Sequence, residues 1–88
     1  MNKNVNIVYY VDIDDNTKAS LCAIPSDIDM RLPSVIEYIA ETISETFSKF
    51  HALIEEHKIE IAKGIAYHKT SNIGEYEFGV EEIPLIEC

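Results

Sequence analysis

Residues 4–13 alternate strictly, with Val5, Ile7, Tyr9, Val11 and Ile13 on the odd positions and Asn4, Asn6, Val8, Tyr10 and Asp12 between them. A period of two, built from β-branched and aromatic residues, predicts a strand whose apolar face is the odd one. Asp14, Asp15, Asn16, Thr17 and Lys18 follow, side chains that bond their own backbone in turns, and residues 19–24 form a short apolar run. The pattern predicts a hairpin. Pro25 removes a backbone donor and ends the second strand, and Ser26 to Asp29 reads as a turn or a single helical turn.

The period then changes. Ile36, Ile39, Ala40, Ile43, Phe47, Phe50 and Ile54 recur every three or four residues, one apolar stripe of an α-helix laid on a core. Ser34 and Glu37 match a capping box, in which the Ser hydroxyl accepts from the N3 amide and the Glu reaches back to the Ser amide. The helix is predicted to run to about His57 and to be about 35 Å long at 1.5 Å per residue.

Two readings compete beyond it. Ile59, Ile61, Ile65 and Tyr67 share a parity that Lys63 breaks, while Ala62 and Ala66 suit a continuing helix. The strand is preferred, because Gly64 costs a helix about 1 kcal/mol and the next segment needs a partner. Residues 70–74 are read as a turn. Residues 75–81 alternate cleanly, Tyr76, Phe78 and Val80 inward and Glu75, Glu77 and Glu81 outward, before Pro84 ends the strand. The predicted fold is α+β: a small antiparallel sheet of two hairpins, ordered ββαββ, with one long amphipathic helix on one face, making a single acidic globular domain over residues 1–88.

Composition narrows the function. Hydrophobic residues are 47% and charged residues 26%, so the chain can build a core and is not a disordered acidic tail. Sixteen acidic residues against seven basic ones leave a net charge of −9, which repels phosphates and anionic lipid. Direct nucleic-acid or membrane binding is therefore disfavoured, and a basic protein is the natural complement. The first six residues lack the apolar core of a signal peptide and no apolar run approaches the roughly 20 residues of a membrane span. The expected location is the cytoplasm, that of the host cell if the chain is phage-encoded.

Tests for chemistry return little. Asp12 to Asn16 resembles the start of a calcium loop, but Thr17 stands where that loop needs glycine and Ala23 where it needs a bidentate Glu. His51 and His57 are separated by about 600° of helical rotation and cannot ligate as an i,i+4 pair. Cys22 lies in a predicted strand and reads as core, and Cys88 adds no metal-ligand spacing. No serine sits in a nucleophile elbow, and the three glycines follow the long helix singly, without a phosphate-binding loop. The expectation is a protein that is not an enzyme, without cofactor and without metal.

What remains is the arrangement of the acids. Glu37, Glu41 and Glu45 lie four apart on the predicted helix, about 6 Å per step, where like charges cost a few tenths of a kcal/mol per pair. Glu75, Glu77 and Glu81 share one face of the last strand, and Glu82 follows them. Carboxylates spaced along rigid elements can stand in for a nucleic-acid backbone before a protein whose Lys and Arg await phosphates. The expected function is a small acidic inhibitor or regulator that blocks a basic, nucleic-acid-handling partner, in the manner of phage anti-CRISPR and anti-restriction proteins, DNA mimics, or nuclease immunity proteins and antitoxins. The alternative is a structural domain whose acidity confers only solubility and which forms a homodimer through the odd face of the last hairpin or the sheet's open face.

Overall fold

The computed structural model describes residues 3–47 and 52–85 of the chain. Strands β1 (Lys3–Asp12) and β2 (Thr17–Pro25) lead into helices α1 (Pro33–Phe47), α2 (Ala52–Glu56) and α3 (Lys58–His68), followed by β3 (Thr70–Ile73) and β4 (Tyr76–Leu85). The strands form one antiparallel sheet in the order β2-β1-β4-β3, so the central pair joins the first strand to the last. The α+β architecture, with helices on one face of an antiparallel sheet, is as the pattern predicts. The ββαββ order is not: the described residues hold three helices between the two hairpins.

The largest correction is at residues 58–68, which are helical and not a strand. Ile61, Ala62, Ile65 and Ala66 are buried there, the i, i+1, i+4, i+5 set of a helix face. The glycine that argued against a helix has a packing reason. A Cβ on Gly64 would lie 3.0 Å from both Cβ and Oγ of Ser71, so the glycine lets α3 approach β3 closely, and that contact offsets its poor helix propensity. Residues 70–73, read as a turn, are the edge strand β3, which pairs with β4 at Thr70 to Gly79 and Ile73 to Tyr76.

The single long helix is likewise corrected. α1 ends its described span at Phe47, and α2 is a separate five-residue piece. His57, whose Nδ1 lies 2.9 Å from the Leu53 carbonyl, separates α2 from α3 with backbone angles of φ −106° and ψ 13°. Phe50 and His51 fall outside the described residues, as do Glu87 and Cys88. At the other end, the capping box at Ser34 and Glu37 is not formed. The Leu32 carbonyl accepts from the Val35 and Ile36 amides, so Pro33 holds the first helical position, where its missing N–H costs nothing.

The odd face of β1 is also the wrong one. Asn6, Val8 and Tyr10 turn toward the helices, and Val5, Ile7, Tyr9 and Val11 lie half-buried on the open face. The reason is the partner strand: β4 pairs Val80 with Val8 and Phe78 with Tyr10, and its own alternation leaves no choice of face. In β2, the register shifts between Val8 and Tyr9, leaving Leu21 without a counterpart. This bulge sends both Leu21 and Cys22 against the core.

The core forms between the sheet and helices α1 and α3, which pack on each other. Ile39, Ile43, Ile65, Val8 and Phe78 are the largest of its fully enclosed side chains. At one end Phe47 stacks edge-on against Tyr10 at 4.9 Å, Tyr76 at 5.1 Å and Phe78 at 5.8 Å, geometry that the ring quadrupoles favour.

Candidate functional site

The two hairpin turns emerge at the same end of the sheet. The Ile13 amide donates to the Glu75 carbonyl at 2.9 Å, so the tips lie side by side. Asp12, Asp14 and Asp15 of the first thereby meet Glu75 and Glu77 of the second. Asp12 lies opposite Tyr76 and Val11 opposite Glu77 in the ladder. The Tyr76 hydroxyl is pushed above its ordinary pKa, first by burial and then by the carboxylates of Asp12, Glu75 and Asp15. None of these five carboxylates takes part in an ion pair among the described residues.

On the helical layer, Glu37, Glu41 and Glu45 are exposed along α1 opposite its buried stripe, and they too take part in no ion pair among the described residues. Glu45 is nearest the tips, since α1 runs toward Phe47 and that ring packs on Tyr10 and Tyr76 just behind them. The second predicted row divides. Glu77 and Glu81 lie on the open sheet face, Glu75 is in the turn, and Glu82 faces the helical side opposite Asn6 in the ladder, where it accepts from Asn4 Nδ2 at 2.6 Å. Glu81 is neutralised by Lys18 at 2.8 Å, whose ammonium also lies 4.3 Å from the Tyr9 ring centre. That ion pair holds the Lys18 pKa above its ordinary value.

The predicted acids therefore do not make one surface. The α1 row and the pair Glu77 and Glu81 are on opposite sides of the sheet, and the tips join their ends. The sequence pattern places Asp12 near the end of the first strand and Asp14 and Asp15 in the turn after it. Only the pairing of β1 with β4 reveals them as part of the acidic end.

Apart from Lys18, several of the described cations lie away from the tips. Arg31 and Lys69 line one cleft at the opposite end of the sheet, and Arg31 and Lys63 line the groove beside it. Arg31 forks onto Asp29, Nε to Oδ1 at 3.1 Å and Nη2 to Oδ2 at 3.2 Å, which holds the Asp29 carboxyl below the usual carboxylate range. Lys58 is engaged with Glu55 at 2.8 Å. Among the described residues, then, the hairpin tips are mainly acidic, with Lys18 beside them bound to Glu81, and the other end is mixed.

No cluster of His, Cys, Asp and Glu able to hold a metal ion is present among the described residues. Burial pushes the Cys22 thiol up, against an opposing hydrogen bond with Thr42, so it is no ready nucleophile. The Asp12 Oδ1 accepts from the amides of Asp14 at 3.1 Å and Asp15 at 3.4 Å, an Asx turn that closes the loop. Calcium at about 1 mM is accordingly expected to move the melting temperature by less than about 1 °C, because a ligand stabilises only as RT ln(1 + [L]/Kd). A rise of several degrees with calcium but not with magnesium, read by thermal melting, would reveal a loop site instead. No helix among the described residues is long and apolar enough to cross a membrane.

Comparison with protein families, with curated proteins and with solved structures finds no match to this chain.

Proposed function

We propose that this protein is an acidic inhibitor or regulator that binds a basic, nucleic-acid-handling partner through its hairpin-tip end. The observation that carries the reading is the convergence of Asp12, Asp14 and Asp15 with Glu75 and Glu77 on two adjoining rigid turns, with no cation paired to them among the described residues. Unrelieved like charge at one end costs stability, and a partner offering Lys and Arg side chains removes that cost on binding. The α1 row of Glu37, Glu41 and Glu45 extends the same potential along the helical layer. A surface of this kind suits anti-CRISPR, anti-restriction, DNA-mimic and nuclease-immunity or antitoxin proteins, a placement by physical class alone. On this reading the protein is not an enzyme and needs no cofactor or metal.

A second reading rests on the open sheet face, where Val5, Ile7, Tyr9 and Val11 are half-buried and Ile83 is 41% exposed. A homodimer through this face would leave the acids to confer solubility.

Two charge-reversal variants separate these readings: Asp14, Asp15 and Glu75 to Lys, and Glu37, Glu41 and Glu45 to Lys. All six residues are exposed, so both variants should keep the far-ultraviolet circular dichroism of the parent. Against the partner captured from the native host and then purified, the tip variant is expected to associate at least about tenfold more slowly, and the helix variant to lose less. Raising salt well above physiological strength, where the Debye length is about 8 Å, should slow the parent toward the variants. Unchanged association in both variants would reject the acidic-surface reading and favour the dimer.

A further inference from the structure

We propose that the cleft at the end of the sheet opposite the hairpin tips binds a free amino acid with an apolar or aromatic side chain, held as a zwitterion. The cleft has a volume of about 370 Å³, the scale of small-ligand sites, and adjoins a groove of about 420 Å³ with which it shares Arg31 and Tyr67. Its floor includes Asn6, which is only 8% exposed although it is a polar residue on the helix-facing side of a central strand. None of the side-chain hydrogen bonds among the described residues involves the Asn6 amide. Its amide is thus left open to the cleft, where a ligand can bond to it.

The charges around it choose the ligand. Arg31 and Lys69 supply positive charge, while Asp29 and Glu82 supply negative charge, so the lining is balanced. A bare polyanion would meet two carboxylates and the field of a chain with net charge −9, and a bare cation would meet Arg31 and Lys69. A zwitterion meets neither objection. Its carboxylate fits the Lys69 ammonium and the Asn6 amide, and its ammonium fits Glu82, whose other recorded contact is a single bond from Asn4. Asp29 is already satisfied by Arg31, which fixes that guanidinium in place. The adjoining groove is walled by Pro33, Ile36, Ile59 and Tyr67, with Arg31, Glu37 and Lys63 also in its lining, and the apolar wall suits a side chain such as that of Leu or Phe.

The cleft shares no residue with the hairpin tips, and only Glu37, at the edge of the adjoining groove, also belongs to the α1 row. The test is a titration of the ¹⁵N-labelled protein, followed by amide and side-chain chemical shifts. The probes are L-phenylalanine, L-leucine, N-acetyl-L-phenylalanine, L-phenylalaninamide and inorganic phosphate. Phenylalanine or leucine is expected to give saturable shifts at Asn6, Ser26, Tyr67 and Lys69, and both blocked derivatives to bind at least about tenfold more weakly, the scale of one charge-assisted contact. Lys69 has a left-handed φ of 64°, which Asn tolerates, so Lys69→Asn should keep the fold and lose at least about tenfold in affinity. Asn6→Val provides a second variant with the same expectation. No saturable shift with either free amino acid, equal binding by a blocked derivative, tighter binding of phosphate, or unchanged affinity in both variants would each overturn the proposal.

Discussion

Replacing Phe78 by Ala is expected to cost about 3–5 kcal/mol, a large share of the 5–15 kcal/mol that stabilises an ordinary domain. Phe78 is fully enclosed at the centre of the sheet, opposite Tyr10 in the ladder, with the Phe47 ring 5.8 Å away. Truncation would leave a void bordered by rings that cannot collapse into it, because the strand pairing on both sides of β4 holds the backbone. Phe47→Ala should cost nearly as much, since it removes the edge-on contacts to Tyr10, Tyr76 and Phe78 together. Urea and thermal unfolding, both followed by circular dichroism, are the measurements. A shift of only a degree or two in the melting temperature for both variants would mean that the helix does not cover this face.

The second large effect lies on the opposite side of the sheet. A Cβ placed on Gly79 would fall 2.7 Å from the Tyr9 hydroxyl oxygen and 2.8 Å from Cζ, distances that real structures do not show. Tyr9 lies across from Gly79 in the ladder, so its ring lies over the bare backbone of β4, with the Lys18 and Glu81 pair above it. This is an aromatic side chain covering a strand glycine. Gly79→Val is expected to destabilise by about 1–3 kcal/mol, because the ring must leave its place and the Lys18 contact goes with it. In a Tyr9→Ala background the same substitution should cost far less, or even stabilise the strand, since Val suits a sheet. A coupling of at least about 1 kcal/mol in the double-mutant cycle is the expected result. Strictly additive costs would show that the ring and the glycine do not meet.

Much of the architecture is legible in local patterns, for identifiable reasons. The alternation around Phe78 is unambiguous because its outward positions are charged, and the stripe from Ile36 to Phe47 is unambiguous because its period is helical. Where one residue type suited two structures, local reasoning misjudged. Gly64 disfavours a helix in isolation, and nothing in the neighbouring sequence announces that Ser71 will pack 3.0 Å from where its Cβ would be. Propensity is a difference of about 1 kcal/mol, and the burial of Ile61, Ala62, Ile65 and Ala66 outweighs it.

The pattern of neighbouring residues is enough to give this chain a net charge of −9, its first hairpin, the alternating last strand and an amphipathic helix between them, because each of these is a count or a period that neighbouring residues express together. It did not determine which side of β1 faces the core. Both of its faces are apolar enough to be buried, Val5, Ile7, Tyr9 and Val11 on one and Val8 and Tyr10 on the other, so the register with β4 decided the matter. The same pairing, between strands more than sixty residues apart, set the Asp-rich first turn against Glu75 and gathered the acids at one end. It also placed Glu82 beside Asn6, in the cleft with Arg31 and Lys69. Charge is written in the sequence residue by residue, but a field and a binding cleft depend on distances across the fold, and those exist only once the first strand has paired with the last.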